Sequence, residues 1–356
     1  MPYDIRFLPP EIQGHSAWYG PALLRQTDWI YHLSESEIVE IETALNGLAG
    51  SSENIGSISP DDFPLPTLGP RLQSLLGEVL DGRGFVLLRR LPVERWGRRQ
   101  TAIAFLGIGS HLGSLRSQNA DGHLLGHVKD MDLSSSDPNV RIYQTRERQT
   151  FHTDSSDVVG LLCLSPAKSG GLSSLVSSTT IFNEMRRRRP DLARVLFEPV
   201  ETDRRGEVAE GEKPYFSIPV FNWHAGLLSA IYQRQYIESA RRFADVLPLT
   251  PEQVEALDLF DELANDPKLN LIMELESGDM QYVHNHTILH DRTAYEDWPE
   301  PDRKRHLLRL WLAPRSARPL PDVFAERFGS VVPGDRGGVT ARNNGPSVVP
   351  WADDLD

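Results

Sequence analysis

A histidine and an aspartate lie two positions apart in the segment Phe151-His152-Thr153-Asp154. In a strand, or in the turn that ends it, positions i and i+2 point to the same side, so His152 and Asp154 can meet one ion. Imidazole nitrogen and carboxylate oxygen together suit a borderline divalent metal, and a third ligand would leave open positions for chemistry. An isolated H-x-D pair is common, however, and a hydrogen-bonded surface pair is the alternative interpretation.

The segment 278–292, GDMQYVHNHTILHDR, supplies three candidates for that third ligand. His284, His286 and His290 share parity, so one strand face could carry all three. We prefer His290, because it ends the apolar pair Ile288-Leu289. Structural or exposed histidines are the alternative interpretation of this segment.

Two arginines stand in the apolar run 305–312, RHLLRLWL. Period-two alternation places Arg305, Leu307, Arg309 and Trp311 on one side of a strand. A guanidinium in such a strand is costly to bury without an anion, and a carboxylate can satisfy it through two hydrogen bonds. The distal carboxylate of 2-oxoglutarate is one such partner, and a buried Asp or Glu is the other.

Short β-like runs and helical segments must position these residues. After residue 140 the β-like runs are separated by Gly, Pro, Ser and Asn, which favours a sandwich or barrel. The predicted strands are 141–145, 158–164, 172–178, 215–221, 227–232, 271–276 and 306–312, with 215–221 and 227–232 forming a hairpin. Helices are predicted at about 180–197, 234–246 and 251–264.

The N-terminal part has a different pattern. Ser34 and Glu37 form a capping-box pattern before one helix, a second helix is predicted from Pro70 to about Leu80, and a third from Arg98 to Leu106. Phe85 to Leu91 reads as a strand between them. No break in composition divides the chain, so we predict one domain over 1–356, with a helical lead-in over about 1–80 and an irregular tail over about 334–356.

Four motifs follow one another along the chain in a specific order. They are FHTD at 151–154, the Gly170-Gly171-Leu172-Ser173 element, N-x(4)-HxR from Asn285 to Arg292, and RxxxR from Arg305 to Arg309. In this order they resemble the taurine dioxygenase (TauD/TfdA)-like family of Fe(II)/2-oxoglutarate-dependent oxygenases, including its clavaminate-synthase-like branch. The resemblance covers about Gly82 to Leu312. It implies a β-rich α+β fold, a double-stranded β-helix (jelly roll) core with flanking helices.

The resemblance also implies a role for each matching residue. His152, Asp154 and His290 would bind iron and form the catalytic centre. Arg309 would hold the distal carboxylate of 2-oxoglutarate with Arg305 nearby, and Ser173 stands where relatives place a hydroxyl that touches the same carboxylate. His286 would support the metal site or be exposed, and Arg292 would bind a substrate carboxylate or buttress the site.

The implied reaction is the oxidation of an unactivated C–H bond of a small polar metabolite, with O₂ consumed and succinate and CO₂ released. Hydroxylation is the expected outcome, with desaturation and ring formation as alternatives. Asp154 argues against halogenation, because related halogenases lack this carboxylate. A jelly-roll lyase or isomerase that does not use 2-oxoglutarate is the main alternative, and a binding module with a relict site is the second.

The bulk composition narrows the partners. A net charge of −13 argues against a nucleic-acid surface, which is usually basic. The single cysteine, Cys163, excludes an intramolecular disulfide, and no apolar run approaches the length of a membrane span. We therefore expect a cytoplasmic enzyme with a small-molecule substrate and no membrane partner, and a homo-oligomer is one alternative for its assembly. The 112–135 and 203–214 stretches are the candidate substrate loops.

Overall fold

Two β-sheets pack against each other and helices cover their outer faces in the computed structural model, which describes residues 8–48, 55–134, 140–208, 211–341 and 347–351. The strands are β1 Ile30–His32, β2 Phe85–Arg89, β3 Ser114–Arg116, β4 Leu125–Val128, β5 Gln149–His152, β6 Val158–Ser165, β7 Ser169–Gly170, β8 Ser173–Ser177, β9 Pro199–Asp203, β10 Tyr215–Pro219, β11 Phe221–His224, β12 Leu227–Ala230, β13 Leu271–Met273, β14 Met280–His284, β15 Ile288–Arg292, β16 Tyr295–Glu296 and β17 His306–Ala313.

The helices lie mainly outside the sheets. The α-helices are α1 Gly20–Leu23, α2 Glu35–Gly47, α3 Leu68–Leu80, α4 Arg98–Ser110, α5 Ser178–Arg188, α6 Pro190–Val195, α7 Arg234–Ser239, α8 Pro251–Asn265 and α9 Ala325–Phe328. Short 3₁₀ helices are found at Ile55–Ser57, Ile142–Gln144, Ala240–Arg242, Pro301–Arg303 and Asp322–Phe324.

The larger sheet has the strand order β1-β2-β14-β6-β17-β3, with β4 also paired to β17. Its central strand β6 is apolar on both faces because both faces are covered. On β6, Val159 and Cys163 face the second sheet, while Val158 and Leu162 pack with α3 and α4. Burial on both sides explains why this strand reads as one continuous apolar run.

The smaller sheet has the order β13-β8-β15-β5, and all of its pairs are antiparallel. Helices α5, α6 and α8 cover its outer face through a cluster that includes Phe151, Val176 and Leu289. Because alternate residues point to opposite faces, His152 and His290, each next to one of these core residues, point inward between the sheets.

The predicted fold class is confirmed: the chain is β-rich, with a jelly-roll core of two facing sheets and flanking helices. Within the described residues the sheets do not close into a barrel. The predicted capping box begins α2, where the Glu37 amide donates to Ser34 Oγ at 3.3 Å and the Ser34 amide donates to Glu37 Oε2 at 2.8 Å.

Two local predictions were wrong. The 141–145 strand is instead a 3₁₀ turn, Ile142–Gln144, which lets neighbouring polar side chains point into a cavity. The 215–221 and 227–232 hairpin is also different, because β10 pairs with β9 and the hairpin is formed by β11 and β12. A bend at Val220, directly after Pro219, separates β10 from β11, and a proline cannot donate a ladder hydrogen bond.

Candidate metal centre and adjoining cavities

Pairing of β5 with β15 brings the three predicted metal ligands together. His152 is the last residue of β5, and His290 lies opposite it in the register of the two strands. Their ring centroids are 4.2 Å apart. Asp154 follows two residues after His152, so its carboxylate reaches the same point between the sheets.

The donor atoms of these three residues form a compact group. His152 Nε2 lies 4.0 Å from Asp154 Oδ1, and His290 Nε2 lies 3.8 Å from Asp154 Oδ2. All the donor atoms lie within 4.8 Å of one another, a span that one ion can bridge. Two imidazoles and one carboxylate are the donor set of the facial triad that holds non-haem Fe(II).

Hydrogen bonds fix the orientation of this group. His152 Nδ1 lies 2.8 Å from the Thr150 carbonyl oxygen, which can only accept, so Nδ1 carries the proton. The lone pair of Nε2 points toward the site and accepts a hydrogen bond from the Gln149 side-chain amide at 2.9 Å. The Asp154 amide donates to Asn285 Oδ1 at 3.0 Å, and the Asn285 side-chain amide donates to the Ser156 carbonyl at 3.0 Å. Asn285, from the turn between β14 and β15, thus ties the two ligand-bearing segments together.

Burial and charge favour the protonation states that bind metal. Burial lowers the pKa of His290 to about 3, and burial also lowers the pKa of His152, so both imidazoles are neutral at pH 7. Burial alone would raise the pKa of Asp154, but the charge of Arg309, the two histidines and a hydrogen bond from Trp311 lower it to about 2. The group therefore presents neutral nitrogens and an ionised carboxylate.

The other two histidines of the 278–292 segment are held elsewhere. His286 Nε2 lies 2.8 Å from Asp157 Oδ1, and His284 Nδ1 lies 3.0 Å from Thr287 Oγ1. Both rings are buried, at 1% and 0% exposure, so neither is a surface histidine. Of the three, His290 is the one beside His152 and Asp154.

A cavity beside the metal centre contains two incompletely satisfied arginines. We call it the arginine cavity; its lining includes Ser173, His290, Arg292, Arg305 and Arg309. Nε and Nη1 of Arg292 and Nη1 of Arg305 are buried and have no hydrogen-bond partner among the described residues. Burial lowers the pKa of Arg292 to about 10 and lowers that of Arg305. Buried cations with unused donors require an anion, and a carboxylate matches their geometry.

Arg309 is placed differently from Arg305. Its Nε donates to Gln118 Oε1 at 2.7 Å, and its Nη1 lies 3.4 Å from Asp154 Oδ2. The guanidinium also stands 4.7 Å from the Tyr143 ring centroid. Arg309 therefore contacts a metal ligand directly and lines cavities on both sides of the centre. Ser173 Oγ donates to Gln281 Oε1 at 3.1 Å within the arginine cavity.

A second and larger opening faces the other side of the centre, and we call it the outer cavity. Gln118 from the first predicted substrate loop lines it, as do Asp203 and Glu207 from the second. Asn119 and His123 of the first loop instead contact each other at 3.1 Å and are absent from the lining. The polar lining residues that the sequence did not indicate include Arg141, Gln233, Tyr236 and Arg327, which stand in three separate segments with no shared motif.

Comparison with known proteins identifies the family. Residues 48–311 match the model of the family described as "Taurine catabolism dioxygenase TauD, TfdA family". The chain belongs to this family. The predicted recognition is confirmed, as is the enzyme class, a 2-oxoglutarate-dependent non-haem iron dioxygenase with Fe(II) as cofactor and 2-oxoglutarate as co-substrate. The lyase or isomerase alternative is thereby set aside.

Two curated relatives match most of the chain. FR-33289 synthase from Streptomyces rubellomurinus (strain ATCC 31215) is 31% identical over 335 residues, which is 91% of this chain and 97% of that protein. The taurine hydroxylase-like protein SAT17 from Stachybotrys chartarum (strain CBS 109288 / IBT 7711) is 33% identical over 313 residues, covering 85% of this chain and 80% of that protein.

Solved structures share the fold. Asparagine oxygenase in complex with Fe(II), 2S,3S-3-hydroxyasparagine and succinate superposes with a TM-score of 0.61 at 17% identity, covering 80% of this chain and 93% of that one. The non-heme iron oxygenase OrfP in complex with Fe and alpha-ketoglutaric acid gives 0.59 at 15% identity with the same coverages. Among the described residues, no helix has the length and apolar character needed to cross a membrane.

Proposed function

We propose that this dioxygenase hydroxylates a C–H bond of a small polar metabolite at an iron held by His152, Asp154 and His290. The observation that carries the proposal is the placement of this triad beside an arginine cavity with unused buried donors. When bound, Fe(II) and 2-oxoglutarate supply the oxidising chemistry with O₂ and release succinate and CO₂. The donor set fits the metal, and the two guanidinium groups fit a dicarboxylate.

The residues of the chain have separate tasks in this proposal. The triad holds the metal, and because Asp154 occupies a ligand position, hydroxylation is favoured over halogenation. Arg305, with Arg292 and Ser173 in the same cavity, binds the distal carboxylate of 2-oxoglutarate.

We assign Arg309 a different task from the one that the sequence suggested. Its Nε is engaged by Gln118 and its Nη1 lies against Asp154, so two of its three guanidinium nitrogens already have partners. Arg305 has a buried nitrogen with no partner among the described residues and contacts no member of the triad. We propose that Arg305 binds the co-substrate, while Arg309 neutralises Asp154 and forms the wall next to the outer cavity.

Substrate-independent succinate release tests the function and this division of roles. With Fe(II), 2-oxoglutarate and O₂, the wild-type protein should form succinate, and Arg305→Met should raise the KM for 2-oxoglutarate about 100-fold, because removing one partner of a buried charge pair costs roughly 2–5 kcal/mol. Arg309→Met, four positions further along the chain in β17, is the matched control, and the KM of this variant should change by only a few fold. Arg305→Lys keeps the charge and should give an intermediate KM.

Two outcomes would contradict the proposal. Absence of succinate from the iron-loaded wild type would reject the function, and an increase in KM confined to Arg309→Met would restore Arg309 as the co-substrate ligand. Hydroxylation itself is tested by mass spectrometry of an amino-acid and metabolite library. The expected product gains one oxygen atom, whereas a product that loses two hydrogens would indicate desaturation.

A further inference from the structure

Three arginines and three acidic residues line the outer cavity, and two of the acidic residues are engaged by cations other than Arg141 and Arg327. Arg141, Arg309 and Arg327 line it, and its acidic lining residues are Asp154, Asp203 and Glu207. Asp154 belongs to the metal triad. Asp203 is already paired, because its Oδ2 lies 3.2 Å from Arg242 Nε and accepts a hydrogen bond from Ser239.

The third acidic residue, Glu207, stands between Arg141 and Arg327 on the side of the cavity away from the metal-binding strands. Its Oε1 contacts Arg141 Nη2, and its Oε2 lies 3.6 Å from Arg327 Nη2. Within the part of the chain that the structure describes, this one carboxylate balances one of the two guanidinium groups, and one positive charge has no carboxylate of its own in the cavity lining. The side chains of Arg141, Arg327 and Glu207 are 17%, 8% and 9% exposed, so solvent screens their charges only weakly.

Contacts outside the pair hold both guanidinium groups in place. Arg141 Nη1 donates to Tyr236 Oη at 2.7 Å, and Arg327 Nε donates to Ser155 Oγ at 2.7 Å. Burial lowers the pKa of Arg327, whereas that of Arg141 is raised in spite of burial, because Tyr236 and Glu207 lie against it. A site oriented in this way loses little conformational freedom when a ligand arrives.

The rest of the cavity wall includes an apolar group. Its members come from four different segments of the chain, and they are Val200, Phe216, Ile218, Ile231 and Ile237. Such a wall favours a hydrocarbon body over a uniformly polar ligand. An amine would have to compete for Glu207 with two arginines that already contact both of its oxygens.

We propose that Arg141 and Arg327 form an anion-binding subsite and that the substrate carries an anionic oxyacid head group on a short apolar body. This inference rests on the proposed function, and it adds the substrate class. The head group would bind the guanidinium groups through charge-assisted hydrogen bonds, which suit a carboxylate or a phosphonate equally. Glu207 holds the two arginines apart and limits the charge that the subsite accepts.

Calorimetric titration under anaerobic conditions tests the subsite without turnover. The protein is first saturated with Fe(II) and 2-oxoglutarate, so that the arginine cavity is filled, and is then titrated with pentanoate, butylphosphonate, pentylamine and pentanol. The two anions should bind at least tenfold more tightly than the amine and the alcohol, and their ratio tells which oxyacid is preferred. Equal affinity for the alcohol, or preference for the amine, would overturn the proposal.

Variants locate the binding. Arg141→Met and Arg327→Met should each weaken anion binding at least tenfold, whereas Glu207→Gln should strengthen it, because a competing carboxylate is lost while the shape is kept. Arg146→Met is the control. Arg146 lies five positions after Arg141, is 65% exposed and does not line the cavity. Anion affinity that falls only in Arg309→Met would place the head group elsewhere and reject this subsite.

The titration separates this inference from the proposed function. If the anions bind and succinate is never formed, the subsite stands and the oxygenase assignment fails. If succinate is formed and the anions show no preference over the alcohol, the assignment stands and the subsite fails. Should Arg141→Met or Arg327→Met not fold, the ligand series on the wild type and Glu207→Gln still decides the matter.

Discussion

His290 and His286 lie four positions apart in sequence and have different partners. His290 lies against His152 and Asp154, whereas His286 is hydrogen-bonded to Asp157 at 2.8 Å. Both rings are buried, so burial does not distinguish them. The neighbouring carboxylate distinguishes them. Asp154, beside His290, also lies near the imidazole of His152, whereas Asp157, beside His286, is bound by Arg336.

This difference predicts opposite consequences for two similar substitutions. His290→Ala should abolish stoichiometric Fe(II) binding, because only two of the three protein ligands remain. Metal analysis after anaerobic desalting measures the bound iron. His286→Ala should retain the metal but lower the free energy of unfolding by about 1–3 kcal/mol, since it leaves a buried carboxylate short of one hydrogen bond. Loss of metal in His286→Ala with retention in His290→Ala would reverse the ligand assignment.

Among the elements, the segment after β17 packs against the turn that follows His152 and Asp154. Arg336 is fully buried, and its guanidinium forms hydrogen bonds to both oxygens of Asp157, at distances between 2.7 and 3.0 Å. Asp157 follows Asp154 by three positions and also contacts His286. The segment after β17 is therefore an internal support of the site, although it lies beyond the region that matches the family model.

Breaking this ion pair should destabilise the protein strongly. Arg336→Met should lower the free energy of unfolding by about 3–5 kcal/mol, because a buried carboxylate is left without its cation. The double variant Asp157→Asn, Arg336→Met removes both charges and should recover part of that loss, with the midpoint of denaturant unfolding as the measurement. A single variant as stable as the wild type would show that the pair is not needed.

A register shift at the start of β17 does not prevent Arg305 and Arg309 from lining the same cavity. A register shift falls between His306 and Leu307, where simple alternation would not be expected to continue. Arg305 and Arg309 nevertheless both line the arginine cavity. The alternation argument therefore identified both arginines, but their separate contacts depend on neighbours from other elements.

For the whole molecule, buried histidines predict sensitivity to acid. Burial lowers the pKa of His306 to about 3, and its Nε2 lies 2.9 Å from Nδ1 of His127, whose own pKa burial also lowers. The same histidines in the unfolded chain titrate near 6.5. As the pH falls below about 6.5, these histidines become protonated in the unfolded state but stay neutral in the folded state. The free energy of unfolding therefore decreases from about pH 6.5 downward.

Denaturant unfolding of the metal-free protein between pH 7.5 and 4.5 measures this effect. The free energy of unfolding should decrease steadily below about pH 6.5, where the unfolded histidines become charged. His306→Gln retains an amide that can donate to His127 and removes one titrating group, so its curve should be flatter. A wild-type curve with no slope in this range, or an unchanged slope in the variant, would contradict the assignment.

Local patterns in the chain predicted most of the elements and the candidate residues, because period and spacing depend on neighbouring residues. Alternation predicted the long strands, the capping box predicted the start of α2, and the order of motifs indicated the family. The single-domain organisation remains a prediction. So do the roles of the site residues His152, Asp154, His290, Ser173, Arg305 and Arg309, which the titrations and variants above address in part.

Only the tertiary structure decided which residues meet. Pairing of β5 with β15 sets His290 against His152, and three distant segments bring Arg141, Glu207 and Arg327 into one cavity. A single sequence records the period of each element but not the partner across a long loop, since contacts between distant segments follow from packing. The metal centre was therefore visible as a motif, whereas the substrate cavity appeared only when the sheets and loops were assembled.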